Sequence, residues 1–195
     1  MRNLLKVILT WVVLPAVLLV SCQQDENQTL LNTKALSKSS ELTTGLYRLA
    51  MNNTSVDNFI DHSSAFRIDF PYQAIVNGQS VGIASEADYQ TVRDIFAASA
   101  SDLDTLTLVF PLTVSRVDYT QQLIGSQQAL DDFRDNTAAP LNPAIPCIAV
   151  QYPVVISVYD SNIQNAQNFT INNKPDLFGF VAGLSQGQLY QINYP

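Results

Sequence analysis

From Phe66 onward the chain alternates apolar and polar positions in short runs, and the runs recur. Phe66, Ile68 and Phe70 lead to Pro71. Leu106, Leu108 and Phe110 lead to Pro111, and Ile148, Val150 and Tyr152 lead to Pro153. A last run, from Leu189 or Tyr190 to Tyr194, leads to Pro195. Each proline follows an aromatic residue, and the four are 40, 42 and 42 residues apart. Behind the first three lies a second run rich in branched and aromatic residues: Tyr72 to Val76, Leu112 to Val117, Val154 to Val158. Period-two alternation with that composition predicts strands. Four matched sites at near-constant spacing predict an internal repeat.

Each unit continues with turn formers: Asn77-Gly78, Asp118-Tyr119-Thr120, then Asp160-Ser161-Asn162. These residues close turns through short side-chain bonds or positive φ. A short third strand is expected next, such as Ser80 to Ala84 or Asn168 to Ile171, and then a helix. Ser85 is the expected N-cap of the first helix, with Asp88 in the capping-box position and Tyr89, Val92, Ile95 and Phe96 on one face. Ser126 should cap the second helix, through Leu130 and Phe133. Asn173 should cap the third, with Pro175 in the first turn, where its missing N–H costs nothing.

A proline cannot donate to a ladder, so each aromatic-proline pair must lie at an edge, a bulge or a break between strands. The expected result is a bend that lets one segment pair with two different neighbours. The sequence leaves the cis or trans state of these bonds open. The fold class that follows is α+β, with repeated β-rich units of about 40 residues carrying short helices. An all-β sandwich is the alternative. The repeat domain is expected over 51–195, as three units with a fourth begun at Tyr194-Pro195. That opening of a unit is expected to complete the sheet of the unit before it, the alternative being a truncated member of a longer repeat series with an exposed edge.

The N-terminal third is different. Arg2 and Lys6 precede a largely apolar run from Val7 to Val20, too short to span a bilayer, which reads as a secretory signal over 1–21. Leu19-Val20-Ser21-Cys22 resembles the lipobox of bacterial lipoproteins. That resemblance implies that the Cys22 thiol receives a diacylglyceryl group and that Cys22 becomes the mature N-terminus. Each acyl CH₂ contributes ~0.8 kcal/mol of membrane affinity, so two or more chains make a stable anchor. Residues 22–50, rich in Ser, Thr, Asn and Gln, read as a flexible tether. Leu42, Leu46 and Leu49 within it suit one short amphipathic helix. The cluster Gln23-Gln24-Asp25-Glu26-Asn27 behind the cysteine resembles the signal that exports Bacteroidota lipoproteins to the outer face of the outer membrane. It implies display at the cell surface, with a periplasm-facing anchor as the alternative.

Charge narrows the partners. Loss of Arg2 and Lys6 with the signal takes the formal charge from −7 to −9. From Met51 onward the basic side chains are Arg67, Arg93, Arg116, Arg134 and Lys174, too few and too scattered to track phosphates. Nucleic acid is therefore not an expected partner. With Cys22 acylated, Cys147 is the remaining thiol, and it reads as a buried small hydrophobe.

Catalytic groupings are not visible. His62 sits beside Ser63 and Ser64 without a Gly-x-Ser-x-Gly elbow, and reads as an exposed loop residue. One histidine and one thiol cannot assemble a zinc site. Asp118 and Asp160, at equivalent turn positions, read as turn formers rather than a glycosidase pair. Asp102 and Asp104 with Thr105 fit no calcium loop, and Asp104-Thr105-Leu106 resembles a Bacteroidota O-glycosylation sequon. Tyr72, Tyr119 and Tyr159 are the candidate exposed aromatics, although a structural role is the first reading for each. No catalytic residue, cofactor or metal is assigned.

The lead-in Asp57-Asn58-Phe59-Ile60-Asp61-His62-Ser63-Ser64, followed by these units, resembles a group of uncharacterised Bacteroidota surface lipoproteins with repeated strand-Pro-strand-helix units. The resemblance spans about Val56 to Pro195 and brings no activity with it. The functional expectation is a lipid-anchored, non-catalytic outer-membrane protein with a binding or structural role toward a glycan or protein. The alternative is an accessory subunit or hydrolase of a nutrient or glycan uptake system.

Overall fold

The computed structural model describes residues 35–98 and 103–193. The signal, Cys22, the acidic cluster, Asp102 and Tyr194-Pro195 lie outside the described residues. Helix and strand each account for 30% of the structure, so the fold is α+β, as expected, rather than an all-β sandwich. The chain from Ala35 onward is one compact unit.

In order, the elements are β1 (Leu36–Ser37), α1 (Glu41–Ala50), α2 (Asn58–Asp61), β2 (Phe66–Ile68), β3 (Tyr72–Val76), β4 (Gln79–Ile83), α3 (Tyr89–Ala97), β5 (Leu106–Leu108), β6 (Leu112–Arg116), β7 (Gln121–Ile124), α4 (Gln127–Asn136), β8 (Val154–Asp160), β9 (Asn165–Ile171), α5 (Lys174–Gly183) and β10 (Gln188–Asn193). The strands form three antiparallel sheets, in the orders β4-β3-β5, β2-β6-β7 and β1-β10-β8-β9.

Local chemistry starts the helix of each of the three units where expected. Asp88 Oδ2 accepts from the backbone N–H groups of Ala84 and Ser85, both at 2.9 Å, completing the capping box. Ser126 Oγ accepts from Ala129 N at 3.3 Å, and Asn173 Oδ1 from Asp176 N at 2.8 Å. Each such cap contributes about 1 kcal/mol. Asn77 (φ 47°) and Gly78 (φ 80°) both take positive φ, the two-residue turn that matches strand twist in a hairpin. Asp118 Oδ1 accepts from Thr120 N at 3.0 Å and Asp160 Oδ1 from Asn162 N at 2.9 Å, so both aspartates are turn formers.

The aromatic-proline pairs Phe70-Pro71, Phe110-Pro111 and Tyr152-Pro153 are cis; the first two stand at breaks between strands and the third directly precedes β8. At the first two the bend sends one segment to two sheets. β2 pairs with β6 and β3 with β4 and β5, so the first two units exchange their leading strands. Their shared core buries Phe66, Ile68, Val76, Val92 and Val114, all at 0% exposure, with Leu130 of α4. The third hairpin, β8–β9, receives β10 in the same way over six residue pairs. Leu106 and Leu108 of β5 pair with Val76 and Ala74, and Tyr190 and Ile192 of β10 pair with Val158 and Ile156. Measured from the proline of each unit, these pairings coincide residue for residue.

Two expectations change. Residues 35–50, expected in the tether, belong to the folded unit. Ser40 caps α1, Thr43, Leu46 and Ala50 are buried, and Leu42 is exposed. The apolar stripe is thus rotated from the expected Leu42–Leu46–Leu49 face. Thr43 Oγ1 meets Tyr190 Oη at 2.7 Å in the second core, which also holds Leu46, Ile156, Leu177 and Val181. Hydroxyls at 43 and 190 therefore fix α1, which composition alone assigned to a tether. Secondly, residues 148–152, expected as the leading strand of the third unit, pair with no strand among the described residues. The β6–β7 turn reaches the second core, against which Val117 and Tyr119 pack, and is tied to the end of α1 by Asn52 N donating to Val117 O (3.0 Å) and Tyr119 Oη donating to Ala50 O (2.7 Å).

Candidate functional site

The lead-in segment builds a buried polar cluster. Asp57 and Asp61, four residues apart, flank the single turn of α2, with exposures of 0% and 2%. Asp57 Oδ2 accepts from Ile68 N at 2.7 Å, tying α2 to β2, and Asp61 Oδ1 accepts from Ser63 N at 2.9 Å. Asp57 Oδ1, Asp61 Oδ2 and the hydroxyls of Tyr72 and Tyr89 are buried without a hydrogen-bond partner. Burial pushes the Asp57 carboxyl up to about 6, against the opposing hydrogen bond from Ile68. Burial, and then the neighbouring Asp57 charge, push Asp61 up to about 8. Taking a carboxylate out of water without a counter-ion costs several kcal/mol, so the pair retains a proton at neutral pH. Sequence reasoning used this segment for resemblance and passed over the aspartates. Two acids bracketing Phe59-Ile60 were the available signal. The pair is closed off in the core, and its chemistry is structural.

His62 ends α2 in the left-handed region (φ 57°), its N–H donating to Asn58 O at 3.1 Å, exposed as expected. Asp104 Oδ1 accepts from Asn77 Nδ2 at 2.9 Å, while Asn77 Oδ1 accepts from Thr105 N at 2.7 Å. These residues thus latch the β3–β4 turn to the start of β5. Among the described residues no group of three His, Cys, Asp or Glu side chains is placed to hold a metal ion. One expectation fails, and the tyrosines take the structural reading. Cys147 is exposed, not buried, because the segment around it joins no ladder. Tyr72 is buried at 7%, and Tyr119 and Tyr159 are half-buried, so none is an open aromatic platform.

The open features lie in the second half. A groove of about 740 Å³ runs between residues 149–153, the start of β8 and the end of β10, with Val150, Val154, Ile156, Leu177 and Ile192 among its lining. None of the eleven lining residues is charged. Ile148 beside it is 60% exposed and Val150 is half-buried, whereas the equivalent Phe66 and Ile68 of β2 are both at 0%. Among the described residues, no backbone–backbone hydrogen bond involves residues 146–153. A smaller cleft of about 470 Å³ lies between β9 and α5. There Phe169, 40% exposed, meets Phe180 at 5.7 Å, with Asp160, Asn165, Gln167 and Asp176 around them. The groove offers apolar packing and unpaired backbone, the cleft an aromatic face ringed by amides and carboxylates.

No protein-family model, curated protein or solved structure is significantly similar to the chain.

Proposed function

We propose that this is a lipid-anchored, non-catalytic protein of the cell envelope, displayed at the surface of the outer membrane, whose role is to bind a polypeptide. The open groove beside residues 149–153 carries this reading. It combines apolar lining that holds no charged residue with backbone N–H and C=O groups that have no backbone partner among the described residues. The buried Asp57–Asp61 pair does not favour a hydrolase, since substrate cannot reach it.

A second reading is a glycan ligand in the cleft formed by Phe169 and Phe180. An aromatic face with amide and carboxylate neighbours is the chemistry that sugars require. It would suit the accessory role in nutrient or glycan uptake. Soluble polysaccharides and envelope polypeptides, tested separately against the full chain, distinguish the two. Binding of a polysaccharide lost on Phe169→Ala favours the cleft, and turnover of any of them would overturn the non-catalytic reading.

The anchor has its own test. Cys22→Ala is expected to abolish incorporation of a clickable fatty acid and to release the protein from membranes or stall its processing. Replacing Asp25 and Glu26 by alanine should leave labelling intact but reduce cleavage by protease added to whole cells. Equal labelling of the Cys22→Ala variant would remove the lipid anchor.

A further inference from the structure

We propose that the cleft between β9 and α5 is a binding site for an uncharged saccharide, with a pyranose ring laid on Phe169 and Phe180 and its hydroxyls met by side-chain amides along β9. This rests on the glycan reading given above, and adds which saccharides the cleft accepts and what holds it open.

The register of the sheet builds the floor. Asn165, Gln167 and Phe169 share one face of β9, and they stand opposite Asp160, Val158 and Ile156 of β8. α5 covers this face at one end, where Ile156, Ile171 and Tyr190 pack with Leu177 and Val181 in the second core. Towards the β8–β9 turn the same face is open, and β9 is exposed at every residue from Asn165 to Thr170.

The wall is α5, and its sequence makes the room. Counted from the caps Ser85, Ser126 and Asn173, Gly179 stands where α3 has Thr91 and α4 has Asp132. Gly183 likewise replaces Ile95 and Asn136. Glycine weakens a helix, and a Cβ at either position would meet nothing within 4 Å. Both glycines line the cleft of about 470 Å³, so the missing side chains are its free volume. Phe180 is held beside it, edge-on to Tyr190 at 5.9 Å and with its ring plane 53° from that of Phe169.

The ligand's chemistry follows from these groups. An aromatic face is electron-rich and attracts the weakly positive C–H face of a pyranose. Asn165 and Gln167 are exposed, and each amide both donates and accepts, as neighbouring sugar hydroxyls require. Asp160 and Asp176 are the charged residues of the lining, and no basic residue accompanies them. The backbone N–H of Asn162 holds the Asp160 carboxyl below the usual carboxylate range. Carboxylates without a cation repel uronate, sialate, sulfate and phosphate groups, so the saccharide is uncharged. A polypeptide strand would instead pair with the outer edge of β9, where the peptide groups have no ladder partner, and would not need a face of rings and amides.

The test is calorimetric titration of the full chain with uncharged oligosaccharides of glucose, mannose, galactose, xylose or N-acetylglucosamine, and with oligogalacturonate and a sulfated oligosaccharide as acidic counterparts. At least one uncharged saccharide should bind, and the acidic ones should bind more weakly by about tenfold or more, with the gap narrowing as salt rises. Phe169→Ala should weaken binding by about tenfold or more. Gly179→Leu separates the site from the fold. Leucine is the better helix former, so the unfolding midpoint should not fall, yet its side chain enters the cleft and binding should be lost. Leu123→Ala, at an exposed position of β7, should bind as the parent does. No binding of any uncharged saccharide, or full binding by Gly179→Leu, would overturn the proposal. Tighter binding of an acidic saccharide, lost on Phe169→Ala, would overturn the uncharged class and leave the glycan reading standing. Self-association of the free chain that Gly179→Leu abolishes would overturn it in favour of a second copy.

Discussion

Tyr190→Ala is expected to destabilise the protein by about 4 kcal/mol, the cost of deleting a large buried aromatic side chain. Tyr190 is 1% exposed, and its strand pairs with β8 on one side and with β1 on the other. Its ring stands edge-on to Phe180 at 5.9 Å, and its hydroxyl meets Thr43 Oγ1 at 2.7 Å. The residue therefore joins sheet, α5 and α1 at one point. Domains of this size are stable by only about 5–15 kcal/mol, so the variant should be partly unfolded in moderate urea. Tyr190→Phe keeps the ring and loses only the hydroxyl, and should cost about 1 kcal/mol. Urea titration checks both values. A Tyr190→Ala variant within about 1 kcal/mol of the parent would mean that β10 does not close the third hairpin.

Stability is also expected to fall as pH rises from about 5 to about 9, and Asp61→Asn should remove most of that fall. Asp57 and Asp61 are raised from the ordinary 3.8 to about 6 and about 8. The folded state thus holds protons that the unfolded chain has already released. This contribution is whole below about pH 4 and is lost as pH rises through the two folded-state values. Each unit of displacement corresponds to about 1.4 kcal/mol, so the pair contributes on the order of a few kcal/mol at low pH. Arg67, Glu86 and Arg134 perturb the pair, and the Tyr72 and Tyr89 phenols lie beside it; burial dominates both carboxyls. In Asp61→Asn a neutral amide replaces the carboxyl that retains the proton, so the group at 61 no longer ionises as pH rises. The variant should be more stable than the parent at pH 8 and similar at pH 5. Denaturant midpoints that do not change with pH in the parent would contradict this.

The repeat and its helix starts were legible because they rest on local rules. Proline cannot enter a ladder, Asn-Gly closes a hairpin, and Ser85, Ser126 and Asn173 cap from their own side chains. That one segment would serve two neighbours was legible from the prolines, but which strands it would meet, β6 for β2 and β3 for β5, was not. Alternation says that a run is a strand, yet both the hairpin of its own unit and that of the neighbour accept the same pattern. Residues 148–152 illustrate the limit. Their alternation matches that of Phe66 to Phe70, but a strand requires a partner, and alternation does not supply one. Residues 35–50 were misplaced for the opposite reason. Their polar composition concealed Thr43, whose hydroxyl is buried against Tyr190. The acid pair was hidden because carboxylates are read as solvent-facing unless something shows that they are enclosed, and what encloses them, Tyr72 and Tyr89, comes from elsewhere in the chain.

The most direct check on the open groove beside residues 149–153 needs no ligand. Amide exchange in the full chain compares two positions with their repeat equivalents, Arg67 and Asp69 in β2 and its extension against Ala149 and Gln151. The first pair lies along β6 and should exchange slowly, through opening of the core. The second pair has no backbone partner among the described residues and should exchange faster by about a hundredfold or more. Equal protection at the two pairs would mean that the groove's backbone is already partnered, and would contradict the binding role proposed for it.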